Sequence, residues 1–126
     1  MWRDWGMIPK FRIFDKKKKR FLDDFTMEID RYGISVLDEF NYVVDEDDRV
    51  LMQSTGLNDM NVKEIFEGDI VKYWENIGYI EFYQGSWVIN WNDGSLFDLY
   101  DNENNLEVLG NIHEHSHLLG NGGQQQ

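Results

Sequence analysis

Three histidines alternate near the end of the chain, at His113, His115 and His117. Alternate side chains of a β-strand point to the same face, so this spacing would offer three imidazoles to one transition-metal ion. The flanking residues supply no acidic or cysteine ligand set that would fix a coordination geometry. The pattern is therefore more typical of an exposed segment that binds nickel or zinc during purification, and we predict no metal site.

Carboxylates form a second group that could do chemistry. Asp45 to Asp48 have the charge to bind Ca²⁺, but an EF-hand loop counted from Asp45 would place Val50 at position six and Gly56 at position twelve. A solvated acidic loop is the better interpretation. Glu67 and Asp69 have the spacing of a general acid/base pair, yet nothing nearby gives the two groups different environments.

The chain shows none of the motifs that usually identify an enzyme or a cofactor. It contains no nucleophile elbow, P-loop or dinucleotide fingerprint. The chain has no Cys, which excludes disulfides, thiol catalysis and cysteine-based zinc sites. We therefore predict that the protein is not an enzyme and has no cofactor or catalytic residues.

The charges are distributed unevenly along the chain. Residues 1–20 carry a balance of +6, and the other 106 residues carry −18. The basic run could grip single-stranded nucleic acid together with Trp2 and Trp5, or it could lie against the acidic body of its own domain. We favour the second interpretation and keep the first as an alternative. The candidate contact residues are Lys16, Lys17, Lys18, Lys19 and Arg20.

The residues that must position these groups have the composition typical of strands and turns. Short apolar runs recur about every ten residues, separated by Gly, Asn and Asp, which is typical of a small β-barrel or sandwich. Phe11–Phe14 predicts a strand, followed by a charged connection and a second strand at Phe21-Leu22. In Trp87–Trp91, the alternating Trp87, Ile89 and Trp91 predict one buried face.

Glycines mark the predicted turns in the middle of the chain. We expect Gly56 to end a strand over Val50–Gln53, and Gly68 to turn sharply with φ above zero while Asp69 accepts freed backbone donors. A further turn is expected at 76–78, and one helical turn at 95–100. The fold class is therefore all-β, or mainly β with a short helical turn.

The predicted organisation has three parts. Residues 1–48 form an N-terminal hairpin and an irregular acidic connection, whose path over 23–48 the sequence does not fix. Residues 49–119 form a small SH3-like barrel, and residues 120–126 form a disordered tail. No apolar run is long enough for a signal peptide or a membrane span, so we expect the protein in the cytoplasm.

Four blocks follow one another along the chain: Lys10–Asp15 (KFRIFD), Met52–Leu57 (MQSTGL), Lys63–Val71 (KEIFEGDIV) and Leu106–Glu114 (LEVLGNIHE). In this order and at these distances they resemble the YopX family of phage and prophage proteins. The resemblance covers about residues 10–119 and implies a mainly β phage protein in the cytoplasm of a bacterial host, with no established activity. It departs at Asn61-Val62, where the family commonly has Asn-Gly, and around His113 and Ser116. It supplies no catalytic residues.

These observations lead to one functional hypothesis and one alternative. The first is a non-enzymatic phage accessory protein that binds a host or phage protein through an acidic, aromatic β surface, with homo-oligomerisation open. An acidic surface can compete for a basic face of another protein, and its attraction weakens as salt rises. The alternative is a nucleic-acid-binding module that uses the basic N-terminal segment. Neither involves a membrane.

Overall fold

A computed structural model describes residues 9–120, and within them the protein is mainly β, as the sequence predicts. No α-helix occurs in this range, and the helical residues belong to three short 3-10 turns at 46–48, 103–105 and 116–119. The predicted disordered tail, apart from Gly120, lies outside the described residues, as do Trp2 and Trp5. The strands are β1 Phe11–Asp15, β2 Arg20–Phe21, β3 Thr26–Asp30, β4 Gly33–Leu37, β5 Arg49–Asn58, β6 Glu64–Phe66, β7 Asp69–Tyr73, β8 Asn76–Tyr83, β9 Ser86–Trp91, β10 Leu96–Asp98 and β11 Glu107–Asn111.

The described chain divides into two compact units, one formed by residues 10–52 and the other by residues 53–120 with Pro9. The first contains two antiparallel hairpins, β1–β2 and β3–β4. The β1–β2 hairpin is the predicted strand, charged connection and strand. Its core consists of four buried side chains, with three half-buried ones packed against them: Ile13, Leu22, Val36 and Val44, then Phe25, Met27 and Leu51.

The β3–β4 hairpin replaces the irregular connection that the sequence predicts. Thr26 pairs with Leu37, and Asp30 pairs with Gly33 across a two-residue turn. Val36 is the only fully buried residue in either strand. The sequence does carry a signal for β3, because polar and apolar residues alternate through Thr26–Asp30 (TMEID). The apolar face that this alternation marks is only half-buried at Met27 and exposed at Ile29.

The second unit is built on a five-stranded antiparallel sheet with the order β10-β9-β8-β7-β11. Strands β7 to β10 are joined by short turns, and β11 returns to pair with β7 at the far side. The core is a cluster of eight buried side chains against which Trp87 packs: Ile65, Val71, Ile80, Ile89, Trp91, Leu99, Leu106 and Val108. The predicted common face of Trp87, Ile89 and Trp91 is the one that contributes to this core.

Three local predictions for this unit are wrong. Residues 96–98 form the edge strand β10 rather than a helical turn, because they pair with Asn90, Ile89 and Val88 of β9. Gly56 does not end β5 but sits inside it with φ +81°, where the register with β6 shifts between Ser54 and Asn58. A single glycine in a strand commonly marks such a bulge.

The third wrong prediction is the turn at 76–78. The chain turns at Trp74-Glu75, and Gly78 lies in β8 opposite Trp91. A Cβ on Gly78 would lie 2.6 Å from the Asn90 carbonyl oxygen and 3.0 Å from Trp91 Cε3. Glycine is therefore needed for close packing between β8 and β9, and not for a turn.

Candidate functional site

The basic segment forms the tip of the β1–β2 hairpin. Lys16 to Lys19 are exposed, and the Asp15 carboxylate holds the tip by accepting hydrogen bonds from the backbone N–H groups of Lys17 and Lys18, both at 3.0 Å. Lys19 takes φ +57°, the left-handed conformation that closes the loop. Four adjacent ammonium groups are thus presented to solvent on one tight turn.

Arg20, the fifth basic residue, is already engaged within its own unit. Its guanidinium donates to both carboxylate oxygens of Glu39, with Nη1–Oε2 at 2.8 Å and Nη2–Oε1 at 3.0 Å. This bidentate hydrogen bonding lowers the pKa of Glu39 from 4.5 to about 2. Arg20 therefore braces the hairpin and is a weaker candidate for a nucleic-acid contact than the four lysines.

The acidic segment Asp45–Asp48 ends beside the basic tip. The backbone N–H of Lys16 donates to the Asp48 carbonyl oxygen at 2.8 Å. Asp45, Glu46 and Asp47 are exposed, as a solvated acidic loop would be. The tip is thus anchored to the end of an acidic segment of the same unit, which favours the interpretation in which the basic charge is partly compensated by its own domain.

The three histidines do not share a strand face. They follow β11 in a turn that continues into the 3-10 segment Ser116–Leu119, where the His115 and His117 ring centroids are 6.3 Å apart. His115 Nδ1 accepts a hydrogen bond from the backbone N–H of Asn111 at 3.1 Å. Within residues 9–120, no three His, Asp or Glu side chains are grouped so that they could hold a metal ion.

Glu67, Gly68 and Asp69 form the connection between β6 and β7. Gly68 has φ +84°, its N–H donates to the Ile80 carbonyl, and Asp69 Oδ2 accepts from the Phe66 N–H at 2.8 Å. Asp69 is 1% exposed. Asp69 is therefore a buried structural carboxylate of this turn, whereas Glu67 is half-exposed.

Asp59 is a buried carboxylate that no motif of the sequence singles out. Its Oδ1 accepts from the N–H groups of Asn61 and Lys63, and its Oδ2 accepts from the N–H of Val108, all at 2.8 Å. Burial raises the pKa of Asp59, but the three backbone donors outweigh it and hold the pKa below its ordinary value. Asp59 therefore ties the β5–β6 connection to β11.

The best candidate for a binding site in the second unit is a cleft at one end of its sheet. It has a volume of about 230 Å³ and lies between the β7–β8 turn and the β9–β10 turn. Aromatic side chains of three strands line it, namely Tyr73, Trp91 and Phe97. Two carboxylate residues, Glu75 and Asp93, line it as well, and none of its lining residues is basic.

The backbone of the two turns determines the shape of this cleft. Trp91 lies over Gly78, and the Trp91 and Phe97 rings meet edge to face with centroids 5.8 Å apart. Asp93 Oδ1 accepts from the Ser95 N–H at 2.9 Å and from the Ser95 hydroxyl at 2.6 Å. The hydrogen bonds from Ser95 lower the pKa of Asp93, so this carboxylate is charged at neutral pH.

Exposed aromatic side chains occur in the two segments that line the cleft and directly beside them in the sequence. Trp74 is 77% exposed, Phe97 is 47% exposed and Tyr100 is 72% exposed. Asp98 and Asp101 are exposed on the same stretch. We refer to residues 73–77 and 91–101 together as the acidic aromatic surface.

Trp74 has an unusual backbone conformation. Its φ is +57°, in the left-handed region that bulky residues rarely enter. Its ring meets Tyr73 edge to face with centroids 6.2 Å apart. Outliers of this kind cluster at functional sites, where surrounding structure holds them in place. The sequence gives no signal for this conformation, because Trp74 is read most simply as the end of a strand.

Comparison with known proteins places the chain in context. The family model described as YopX protein matches residues 10–120. The chain is similar to protein EF1440 from Enterococcus faecalis, with 30% identity, a TM-score of 0.60, and coverage of 90% of this chain and 99% of that one. It is also similar in fold to protein yopX from Bacillus subtilis, with 18% identity, a TM-score of 0.63, and coverage of 87% and 97%. No curated protein matches it.

One further finding concerns membranes. In the part of the chain from residue 9 to residue 120, no helix has the length and apolar character needed to cross a membrane.

Proposed function

The chain belongs to the YopX family, and from this premise we propose that it is a phage-encoded accessory protein without enzymatic activity, which binds another protein through the acidic aromatic surface. The observation that carries the proposal is the exposure of Trp74, Phe97 and Tyr100 beside carboxylates on a unit with few basic residues. Large aromatic side chains are enriched at the centres of protein interfaces and supply much of their binding energy.

The partner we propose is a protein with a basic face. Residues 53–120 contain 12 acidic and 2 basic residues, a balance of −10. Such a surface attracts a positively charged partner over distances of about a Debye length, which is about 8 Å at physiological salt. Charge complementarity of this kind raises the association rate and selects against acidic partners.

The family context also supports two finer assignments. The first is the cytoplasm of a bacterial host as the place of action. The second is a small SH3-like barrel for residues 49–119, which is supported by the meander β7–β10 and the return of β11 to β7. Both belong to the proposal.

The alternative function is nucleic-acid binding by the hairpin tip, and the exposure of Lys16 to Lys19 supports it. The acidic balance of the remaining chain opposes it, because phosphates would be repelled by most of the protein. The bidentate hydrogen bonding of Arg20 to Glu39 removes one of the five candidate contacts. We therefore keep it as the second candidate.

Affinity capture tests the first proposal. The tagged full chain is incubated with nuclease-treated lysate of the bacterium that carries the gene, and the enriched protein is identified, purified and titrated against the chain. We expect a basic protein whose affinity falls as salt rises. Substituting Asp93→Asn, Asp98→Asn and Asp101→Asn together should weaken its binding about tenfold or more.

The matched control neutralises three exposed carboxylates of the other unit, Asp24→Asn, Glu28→Gln and Asp30→Asn. It changes the net charge by the same amount and should leave the affinity within about twofold. Equal weakening by both triple variants would show that only net charge matters and would contradict the proposed surface. Recovery of nucleic acid alone in a parallel capture without nuclease, abolished by substituting Lys16 to Lys19, would establish the alternative.

A further inference from the structure

We propose that the cleft of residues 73–77 and 91–97 binds an arginine side chain of the partner protein. The inference rests on the proposed function, since it assumes a basic partner, and it adds the chemistry by which one residue of that partner is recognised. The occupant is inferred from three properties of the cleft, which are its aromatic walls, its charge and its size.

The walls suit a flat cation. Tyr73, Trp91 and Phe97 line the cleft, and the edge-to-face contact of Trp91 with Phe97 sets their two rings nearly perpendicular, at 84°. Cations are attracted to the faces of aromatic rings, most strongly to tryptophan, and arginine engages them more often than lysine. A guanidinium group can stack on one ring while its edge remains free for hydrogen bonds.

The charge of the cleft matches this occupant. Glu75 and Asp93 line it without a basic neighbour among the lining residues. Asp93 is held in place by two hydrogen bonds from Ser95, both of which reach Oδ1. Oδ2 of Asp93 receives neither of them, so it can accept from a guanidinium N–H. Arginine has five N–H donors in a planar fork that matches carboxylate geometry, whereas lysine presents a compact ammonium.

The size of the cleft favours a small occupant. Its volume of about 230 Å³ is below the range of about 300–1,000 Å³ typical of sites for cofactors and drug-sized molecules. It is equivalent to the liquid volume of roughly eight water molecules, at about 30 Å³ each. One long side chain of a partner is therefore a better fit than a nucleotide or a cofactor.

Trp91 is a suitable reporter for the cleft that it lines. It is 8% exposed, and its indole Nε1–H is buried with no hydrogen-bond acceptor in the described structure. A buried N–H lies beyond the direct reach of a ligand in the cleft. Its NMR signal therefore reports how an occupant of the cleft changes the packing around the ring.

The probe for the test is N-acetyl-arginine amide, titrated into ¹⁵N-labelled full-length protein while the indole N–H signals are followed by NMR. The Trp91 signal is assigned by its loss in Trp91→Phe. We expect a saturable shift of this signal with a dissociation constant on the order of 1 mM, as for a single side chain. N-acetyl-citrulline amide has nearly the same shape without the charge and should produce no saturable shift.

Two variants locate the binding. Glu75→Gln with Asp93→Asn should weaken binding of the probe about tenfold, because both substitutions keep the side-chain size and remove the charge. Asp24→Asn with Glu28→Gln is the matched control in the other unit and should leave it within about twofold. Three results would overturn the arginine assignment. They are equal weakening of probe binding by both double variants, an equal response to the citrulline probe, and tighter binding of N-acetyl-lysine amide.

The two proposals fail in different ways. If the partner is captured and the surface triple variant weakens it, but the arginine probe does not shift Trp91, only the cleft assignment is wrong. If the probe binds as expected but no basic protein is captured from the lysate, the cleft assignment is supported and the partner class in the proposed function is wrong.

Discussion

Residues 53–120 bury eight hydrophobic side chains in one cluster, whereas residues 10–52 bury four. Residues 53–120 have a charge balance of −10, and residues 10–52 have −2 because 9 basic residues offset 11 acidic ones. The unit of residues 53–120 is held together by packing and by a buried carboxylate. The unit of residues 10–52 depends more on polar contacts at its surface, such as the Arg20–Glu39 pair. Stability and functional surface are therefore distributed differently in the two units.

The difference is also visible in what each unit leaves exposed. In residues 10–52 the exposed apolar side chains include Ile29, Tyr32 and Phe40, and the two-stranded β3–β4 hairpin carries two of them. In residues 53–120 the exposed Phe97 lines a cleft together with the carboxylate residues Glu75 and Asp93. An exposed apolar residue alone is common on protein surfaces, whereas convergence with charge and a cavity points to a ligand.

The largest effect on stability is expected for a buried residue of the larger core, compared with an exposed residue of the other unit. Leu106 is fully buried in the larger cluster, so Leu106→Ala should lower the free energy of unfolding by about 2–5 kcal/mol. Ile29 is 68% exposed in the smaller unit, so Ile29→Ala should change it by no more than about 0.5 kcal/mol. Denaturant unfolding of the two variants measures both values. A similar loss for both would show that β3–β4 packs more firmly than its exposure indicates.

The next prediction concerns the hydrogen bonds by which Asp59 connects the β5–β6 loop to β11. Asp59→Asn replaces an acceptor of Asp59 with an amide donor and should cost about 1–3 kcal/mol of the free energy of unfolding, because a backbone donor is left unpaired. The pKa of Asp59 is lowered by folding, so its contribution is fully present above its ordinary value of 3.8 and is lost as pH falls further. The difference between wild type and variant, measured by urea unfolding, should therefore shrink below about pH 4. A difference independent of pH would contradict a charged Asp59.

The smallest effect concerns the surface pair of the other unit. In Arg20→Ala the pKa of Glu39 should rise from about 2 toward its ordinary value of 4.5, because the bidentate donors are removed. The lowered pKa means that Glu39 stabilises the fold above pH 4.5 and ceases to do so as the pH falls toward 2. A carboxyl NMR titration of both proteins gives the two pKa values directly. Arg20→Lys keeps the positive charge but not the planar bidentate donor geometry, so it should give Glu39 an intermediate pKa.

Much of the β architecture could be predicted because local chemistry specifies it. Gln84-Gly85 separates two aromatic-rich strands and forms the two-residue loop between β8 and β9, with φ +50° and +86°. Both residues are left-handed, as a type I′ turn requires. The common face of Trp87, Ile89 and Trp91 follows from alternation alone. Where turn type and alternation agree, a strand pair can be recognised without knowledge of the rest of the fold.

The errors occur where a residue's role depends on a distant partner. Gly78 and Gly68 look alike in sequence, but Gly68 is required by its φ of +84° and Gly78 by the Asn90 carbonyl across the sheet. Strand β10 is three residues long and exposed, so nothing local distinguishes it from a turn. Its strand character comes from pairing with β9.

The cleft could not be predicted for the same reason. Tyr73 ends β7 and Glu75 follows it in the β7–β8 turn, while Trp91 ends β9 and Asp93 follows it in the β9–β10 turn. Only the register of β7, β8 and β9 brings the two strand ends together. The only local signal is the sequence from Trp91 to Phe97, in which two aromatic residues flank an Asn-Asp-Gly turn. That signal is too common to identify a site by itself.

The return of β11 to β7 also bears on the order in which the protein folds. Strands β7 to β10 pair with their neighbours in sequence, so this meander requires the closure of short loops only. The pairing of β11 with β7 and the hydrogen bond from Val108 to Asp59, 49 residues apart, require a much longer closure. Contacts of large sequence separation slow folding. We therefore expect the meander to nucleate folding and the docking of β11 to complete it, with substitutions in β8 and β9 affecting the folding rate and those at Asp59 affecting chiefly the unfolding rate.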